Sequence, residues 1–290
     1  MNEPSATRHQ AAGSGPLTAA PPAADNPFMT REFARVYERT GSRITGPIAF
    51  EALRRVGPVG PGVRVLDIAA GAGALGIPAA FSGATVLAID IAPGMVDLLA
   101  ERLAPFPDAK ARVMNGEDLE IVDDSFDIAC SIMGTSLFSD WRKGLREMAR
   151  VLRDGGRGCV ATWKTPPGGG PFMIMAQALR EVFPDRKPPP PPEGFAALSD
   201  PARLDAEMMA AGFSHVETVE IEAIWKGPAG DAYLDELQAL HGYMPPYAAL
   251  DRDDRLRVDA AIRRIVEARA VDGGIRLASP VLIAVGRKSR

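Results

Sequence analysis

At 290 residues, with 46% hydrophobic and 24% charged side chains, the chain can bury a sizeable core without disulfide or metal staples. A net charge of −4 from 33 basic and 37 acidic residues, with no basic block in the interior, argues against a nucleic acid or an anionic membrane as partner. No apolar stretch approaches the roughly 18 to 20 residues of a membrane span, so no stable membrane insertion is expected.

Residues 1–27 are rich in Ala, Pro, Gly and Ser, and have neither an apolar core segment nor more than one Arg. They read as a disordered tail without a targeting signal, ahead of one domain over 28–290 in a cytoplasmic protein. Phe28, Phe33, Val36 and Tyr37 share a helical face, and Leu53 and Val56 suggest a second helix before the Gly57–Gly62 turn. Strand and helix then alternate. Val63–Ile68 reads as a strand, Gly73–Phe81 as a helix, Ala84–Asp90 as a strand, Pro93–Leu103 as a helix and Ala111–Met114 as a strand. Phe126–Met133 is a buried strand, Trp141–Leu152 an amphipathic helix and Gly158–Trp163 another strand. Pro201–Ala211, Val216–Ile224 and Ile275–Val285 add a helix and two strands.

Such alternation predicts an α/β fold, a parallel sheet with helices on both faces. Cys130 and Cys159 fall inside the strands, as free thiols of a reducing compartment. No metal site is expected. Two stretches break the alternation and read as helical cap insertions over the carboxyl edge of the sheet, at about 164–200 and 226–274. The first contains the proline run 188–192. The second contains helical patterns at 231–240 and 252–270, the latter with Leu256, Ile262, Ile265 and Val266 on one face.

Gly71-Ala-Gly73-Ala-Leu-Gly76 follows the first strand and matches the dinucleotide pattern G-x-G-x-x-G. An NAD(P)- or FAD-dependent oxidoreductase is therefore one reading. Asp67 speaks against it. A carboxylate beside a pyrophosphate costs about 1 kcal/mol or more even in a wet site, whereas beside a cationic ligand it helps.

The wider pattern decides more. Val65-Leu-Asp67-Ile-Ala-Ala-Gly71-Ala-Gly73, then Asp90-Ile91 with Pro93-Gly94-Met95, then Val113-Met-Asn115-Gly116-Glu117-Asp118-Leu119, and finally Leu145–Gly156, stand in order. Together they resemble the class I S-adenosylmethionine-dependent methyltransferases, and among them the quinone and sterol methyltransferase group. The resemblance implies a Rossmann-like, doubly wound, seven-stranded sheet, mostly parallel with the last strand antiparallel, and S-adenosyl-L-methionine as cofactor. It also implies a binding set: Asp67, Ala69, Gly71 and Gly73 at the glycine turn, Asp90 on the ribose, Ile91 and Met95 after it, and Asn115, Gly116, Asp118 and Leu119 around adenine. Ser131 and Met133, ending the fourth strand, would lie under the methyl group with Gly134 leaving room. Tyr37 on the first helix would cover the methionine end. Ala69 stands where many members have glycine, and Asn115 where an acid commonly receives the adenine amino group.

The sulfonium methyl is already activated, so transfer is an in-line displacement in which alignment and water exclusion matter most. No nucleophile or metal is required. An acceptor that must lose a proton would want a base, and His241 in the cap is the candidate, since imidazole titrates near working pH. His9 lies in the tail, and His215 opens a strand. Pro245-Pro246-Tyr247 is similar to a loop of nucleic-acid amino methyltransferases but lies far from the fourth strand, so base methylation is discounted. Phe172, Phe183, Trp225, Tyr233, Tyr243 and Tyr247 make the cap apolar and aromatic, pointing to a small, largely apolar acceptor methylated on oxygen or carbon. A non-catalytic cofactor-binding partner protein is the other alternative, and a homo-oligomer stays open.

Overall fold

The computed structural model describes residues 26–165, 168–188 and 190–289. The expected tail therefore lies outside the described residues except for Asn26 and Pro27. A short 3₁₀ turn, Pro27–Met29, leads to α1 (Arg31–Thr40) and α2 (Ser42–Val56). The Thr30 hydroxyl caps α1 by accepting the Phe33 N–H.

Strands β1 (Arg64–Ile68), β2 (Thr85–Asp90), β3 (Ala109–Val113), β4 (Phe126–Ile132) and β5 (Leu152–Trp163) run parallel. Helices α3 (Gly76–Phe81), α4 (Pro93–Leu103) and α5 (Trp141–Val151) link them. After β5 come α6 (Pro171–Val182), α7 (Glu193–Leu198) and α8 (Pro201–Ala210), then β6 (Phe213–Pro228). Helices α9 (Asp231–Tyr243), α10 (Pro245–Ala248) and α11 (Arg252–Glu267) precede β7 (Gly274–Lys288).

The sheet order is β3-β2-β1-β4-β5-β7-β6, with β7 antiparallel to both neighbours. Apolar runs such as Phe-Asp-Ile-Ala-Cys-Ser-Ile in β4 suit a strand covered on both faces. One face carries the core of α2, α3 and α4, the other that of α5 and α8. Cys130 and Cys159 face each other across β4 and β5 as buried thiols, and their mutual hydrogen bond together with burial holds the Cys130 thiol protonated.

Strand order reverses between β1 and β4, so the carboxyl ends of these two strands open the crevice where such sheets bind ligands. Farther along, β6 and β7 stay paired out to Pro228 and Gly274, whereas β5 leaves the sheet opposite Val281. The two-stranded ribbon thus runs on for about seven residues, roughly 23 Å at strand rise, and α9 to α11 spring from its tip. Trp225 on this ribbon is fully buried, and its indole N–H donates to the Thr40 carbonyl of α1 at 3.0 Å.

Two expectations need correction. The helix after the glycines begins at Gly76, not Gly73, because Gly71 and Gly73 adopt φ of 52° and 93°, which a right-handed helix cannot continue. Leu256 is exposed, and α11 buries Val258, Ala261, Ile262 and Ile265 instead.

Candidate functional site

β1 ends in a tight turn in which the backbone is left-handed at Ala69 (φ 57°), Gly71 and Gly73. A Cβ on Gly73 would meet Leu99 Cδ1 at 2.5 Å, so that glycine lets the turn pack on α4. Gly71 instead faces an opening under Tyr37, whose ring would lie 3.7 Å from an added Cβ. Ala69 carries a side chain in this conformation and so stores roughly 1–2 kcal/mol of strain. Met133, ending β4, does the same at φ 65°, and between them a Cβ on Gly134 would fall 2.3 Å from the Ala69 Cβ. The ends of β1 and β4 are pinched together at the switch point, with a strained residue on each.

Two carboxylates lie beneath the turn. Asp67, only 2% exposed, accepts the Gly76 N–H on Oδ2 at 2.8 Å. Burial nevertheless pushes its carboxyl up to about 7, and the charge of Asp90 adds to the rise. Asp90 accepts the Gly71 N–H on Oδ2 at 2.8 Å and the Ala92 N–H on Oδ1 at 2.9 Å, stitching the two loops together. Burial raises its carboxyl as well, against the pull of those amides. Among the described residues no Lys or Arg pairs with either acid. Buried carboxylates without a cation lose hydration uncompensated, so the site favours a positively charged occupant.

Helices α1 and α2 roof this crevice. The first turn of α1 sits directly on α4, where a Cβ on Gly94 would come 2.2 Å from the Thr30 carbonyl carbon. Arg31 pairs with Glu101, and Arg102 donates to the Ala72 carbonyl at 2.6 Å. Under the roof remains a cavity of about 30 Å³ lined by Tyr37, Ser42, Thr45, Asp67 and Ala69 among others.

Residues 65–156 match the family model described as a methyltransferase domain, which spans β1 to the start of β5. A demethylmenaquinone methyltransferase from Clavibacter sepedonicus is 33% identical over 223 residues, covering 70% of this chain and 90% of that protein. A demethylmenaquinone methyltransferase from Mycobacterium sp. (strain KMS) is 31% identical over 197 residues, covering 65% and 78%. The chain belongs to the class I S-adenosylmethionine-dependent methyltransferases of the quinone methyltransferase type. Its fold is shared with a Haemonchus contortus phosphoethanolamine N-methyltransferase 2 solved with S-adenosylhomocysteine, at TM-score 0.56 and 17% identity over 92% of this chain and 59% of that one. The YcgJ protein of Bacillus subtilis superposes at TM-score 0.54 and 18% identity, covering 85% and 98%.

The methyltransferase uses S-adenosylmethionine, and the crevice fits that cofactor. It offers a glycine turn open to a ligand, and two acids, Asp67 buried and Asp90 half-buried, without a cationic partner among the described residues, for a molecule with sulfonium and ammonium charges. The oxidoreductase reading falls with it.

Around the expected adenine position the arrangement is mixed. Ile91 stands 56% exposed at the end of β2, and Met95 is buried in the first turn of α4. Gly116 admits Phe138, whose ring would lie 2.5 Å from an added Cβ. Leu119 is buried, its N–H donating to Glu147 at 2.8 Å. Asn115 is exposed and spends its carbonyl oxygen on the Glu117 N–H at 2.9 Å, which leaves its amide NH₂ free. Asp118 does not turn towards the adenine position as expected. The Asp118 carboxylate turns outward to Lys143 at 2.9 Å, while Glu117 accepts the Ser139 hydroxyl and the Asp140 N–H at the start of α5. The attraction of Lys143 and the free amide at that helix start outweigh the inward placement expected of Asp118. Ser131 is fully buried and accepts the Thr135 N–H at 3.1 Å, bracing the strained Met133 from below.

His241 stands apart from these residues. It is fully buried in the cap, with its ring 5.6 Å from that of Tyr247 and 6.3 Å from that of Tyr233. Neither ring nitrogen has a hydrogen-bond partner. Burial lowers it to about 4, no carboxylate orients it, and it does not line the glycine-turn cavity. A proton-accepting role would need the opposite surroundings, so the general-base expectation is corrected. Conversely, Ser42 and Thr45 line the cavity without having been foreseen. Tyr37, Gly41 and Thr45 recur at intervals of four, one helical face, and that spacing was the available signal.

Proposed function

We propose that this methyltransferase transfers the sulfonium methyl of S-adenosylmethionine to a ring of the naphthohydroquinone class, a demethylmenaquinol-like acceptor. The observation that carries the acceptor class is the 33% identity to the Clavibacter demethylmenaquinone methyltransferase across 90% of that protein. The aromatic, apolar cap agrees with an acceptor of low polarity.

The cofactor supplies an activated methyl group, and the side chains supply binding, alignment and dryness. In this reading Asp90 accepts the ribose hydroxyls with the lone pairs its two amide partners leave free. Gly71 and Gly73 let the backbone approach. Ile91, Met95 and Leu119 flank the adenine, and Asn115 and Gly116 meet its edge. Asp67, Ala69 and Tyr37 surround the methionine end. Met133 and Ser131 hold the floor beneath the methyl group, and Gly134 lets the Ala69 turn pack against the end of β4. An electron-rich hydroquinone ring brings its own nucleophilic carbon, so the roof and cap need only orient it and exclude water.

The test is methyl transfer from radiolabelled S-adenosylmethionine to a short-chain 2-prenyl-1,4-naphthohydroquinone. Saturable labelling of that ring is the expected result. No labelling of it, with transfer to a polar amine or a protein instead, would overturn the acceptor class.

A further inference from the structure

At the amino edge of the sheet, where α2 ends, lies a second cavity of about 390 Å³. It is remote from the cofactor crevice: α2 reaches the glycine turn at Ser42 and this cavity at Arg55, about 20 Å of helix apart. Four separate elements send basic side chains to it, Arg55 from the last turn of α2, Arg157 from β5, His215 from β6 and Arg287 from β7. Val219 and Val285 give it an apolar floor, and Glu217 is the one acid in its lining. Arg157 and Arg287 are register partners across β5 and β7, so their side chains leave the same face of the sheet side by side. Like charges so placed repel. Among the described residues neither makes an ion pair, although their neighbours Arg153 and Lys288 pair with Asp127 and Asp124. Arg157 donates from Nη1 to the Val56 carbonyl at the end of α2, and Gly57 makes room for it, since a Cβ there would overlap the guanidinium. A guanidinium carries five N–H donors, so most of them stay available to a ligand. β6 is bulged between Ser214 and Glu217, and inside the bulge His215 holds a left-handed φ of 51°. Bulges re-aim side chains, and this one brings His215 into the cavity lining.

We propose that this cavity binds a soluble small molecule of the organic diphosphate class, its phosphates held by Arg157, Arg287 and His215 and its apolar body resting on Val219 and Val285. Two adjacent guanidinium forks suit two adjacent phosphates, because each fork can hold one phosphate by paired N–H donors. Arg55 is shared with Glu51 and closes the rim. A purely structural cluster would interleave acids with its cations, as Arg142 does between Glu193 and Glu207 on the other face of the sheet. Here positive charge is left over, and a multiply charged anion is its complement. The recess has the size of a small-molecule pocket rather than of a flat polyanion-binding surface.

The experiment is calorimetry with inorganic pyrophosphate in metal-free buffer at fixed ionic strength, with and without S-adenosylhomocysteine. One saturable site is expected, tighter than for inorganic phosphate and unaffected by S-adenosylhomocysteine. Arg287→Gln should weaken pyrophosphate binding by about tenfold or more, the scale of lost charge-assisted hydrogen bonds. His215→Asn should weaken it by a smaller factor, since asparagine also accepts left-handed backbone but has no imidazole to offer. Lys226→Gln, which removes the same charge from an exposed position at the far end of β6, should leave binding unchanged. Thermal melts check that the variants fold. Absence of binding, displacement by S-adenosylhomocysteine, or an equal loss in Lys226→Gln and Arg287→Gln would overturn the site. Sedimentation with phosphatidylglycerol vesicles that Arg287→Gln abolishes, in place of pyrophosphate binding, would overturn the soluble ligand in favour of a lipid headgroup.

Discussion

The crevice under the glycine turn and the interior of the cap both bury titratable groups, yet they treat them in opposite ways. Asp67 and Asp90 are held by backbone amides of neighbouring loops and lack only a cation. His241 and the Tyr233 hydroxyl are buried among aromatic rings with no hydrogen-bond partner at all. Burial alone therefore does not mark the site; convergent backbone donors do, because they fix the geometry of a charge that a ligand then completes.

The contrast has a sign in pH. Asp67 keeps its proton up to about 7 in the folded chain, whereas an unfolded Asp releases it near 3.9. Its contribution to stability is fully present in acid and is lost as pH rises through 7. His241 refuses a proton until about 4, whereas an unfolded His takes one near 6.5. Its contribution is present above about 6.5 and is lost as pH falls towards 4. The two slopes oppose each other.

The largest effect is expected from Asp67→Asn, which keeps an oxygen for the Gly76 N–H but removes the buried charge. Denaturant melts at pH 8 should show stabilisation by up to about 4 kcal/mol, together with weaker S-adenosylmethionine binding. In the wild-type protein that binding should weaken as pH falls below 7, because the cationic cofactor favours the ionised acid. A variant no more stable at pH 8 would erase the contrast from the crevice side.

Removing the other slope is the next step. His241→Leu should gain about 2–3 kcal/mol at pH 5 and flatten the acid limb, with S-adenosylhomocysteine affinity unchanged by calorimetry. A large drop in that affinity would place His241 in the cofactor machinery after all. Asp90→Ala is expected to cost about 2 kcal/mol of S-adenosylhomocysteine binding, and a folded variant with undiminished affinity would remove the ribose role. Smallest is Ala69→Gly. Relief of left-handed strain, about 1–2 kcal/mol, is partly offset by the extra backbone entropy of glycine, leaving a rise of about 1 kcal/mol or less in thermal stability.

Much of this molecule is legible in the sequence. The alternation from Val63 to Trp163 yields the five parallel strands, because a strand buried on both faces must be apolar throughout and a covering helix must be amphipathic. The ends were less legible. β6 and β7 each extend past their apolar centres, since a two-stranded ribbon beyond the sheet can hold Lys226 and Arg276 as readily as Ile221 and Val281. At the site, Asp90 and the glycines could be placed from order and spacing, because a strand-ending acid and a tight turn have few alternatives. Asp118 could not, since its direction depends on Lys143, 25 residues away on α5.

What the sequence alone determined is whatever depends on local backbone chemistry: a doubly wound sheet, a glycine turn after β1, an acid at the end of β2 and a cofactor without a pyrophosphate. Only the tertiary structure decided which helices roof that turn, that His241 is sealed inside the cap, and that Ser42 and Thr45 meet Asp67 across a cavity. Those facts depend on pairs of residues brought together from distant parts of the chain, and burial and orientation at such meetings are set by packing rather than by the spacing of residues along a strand or helix.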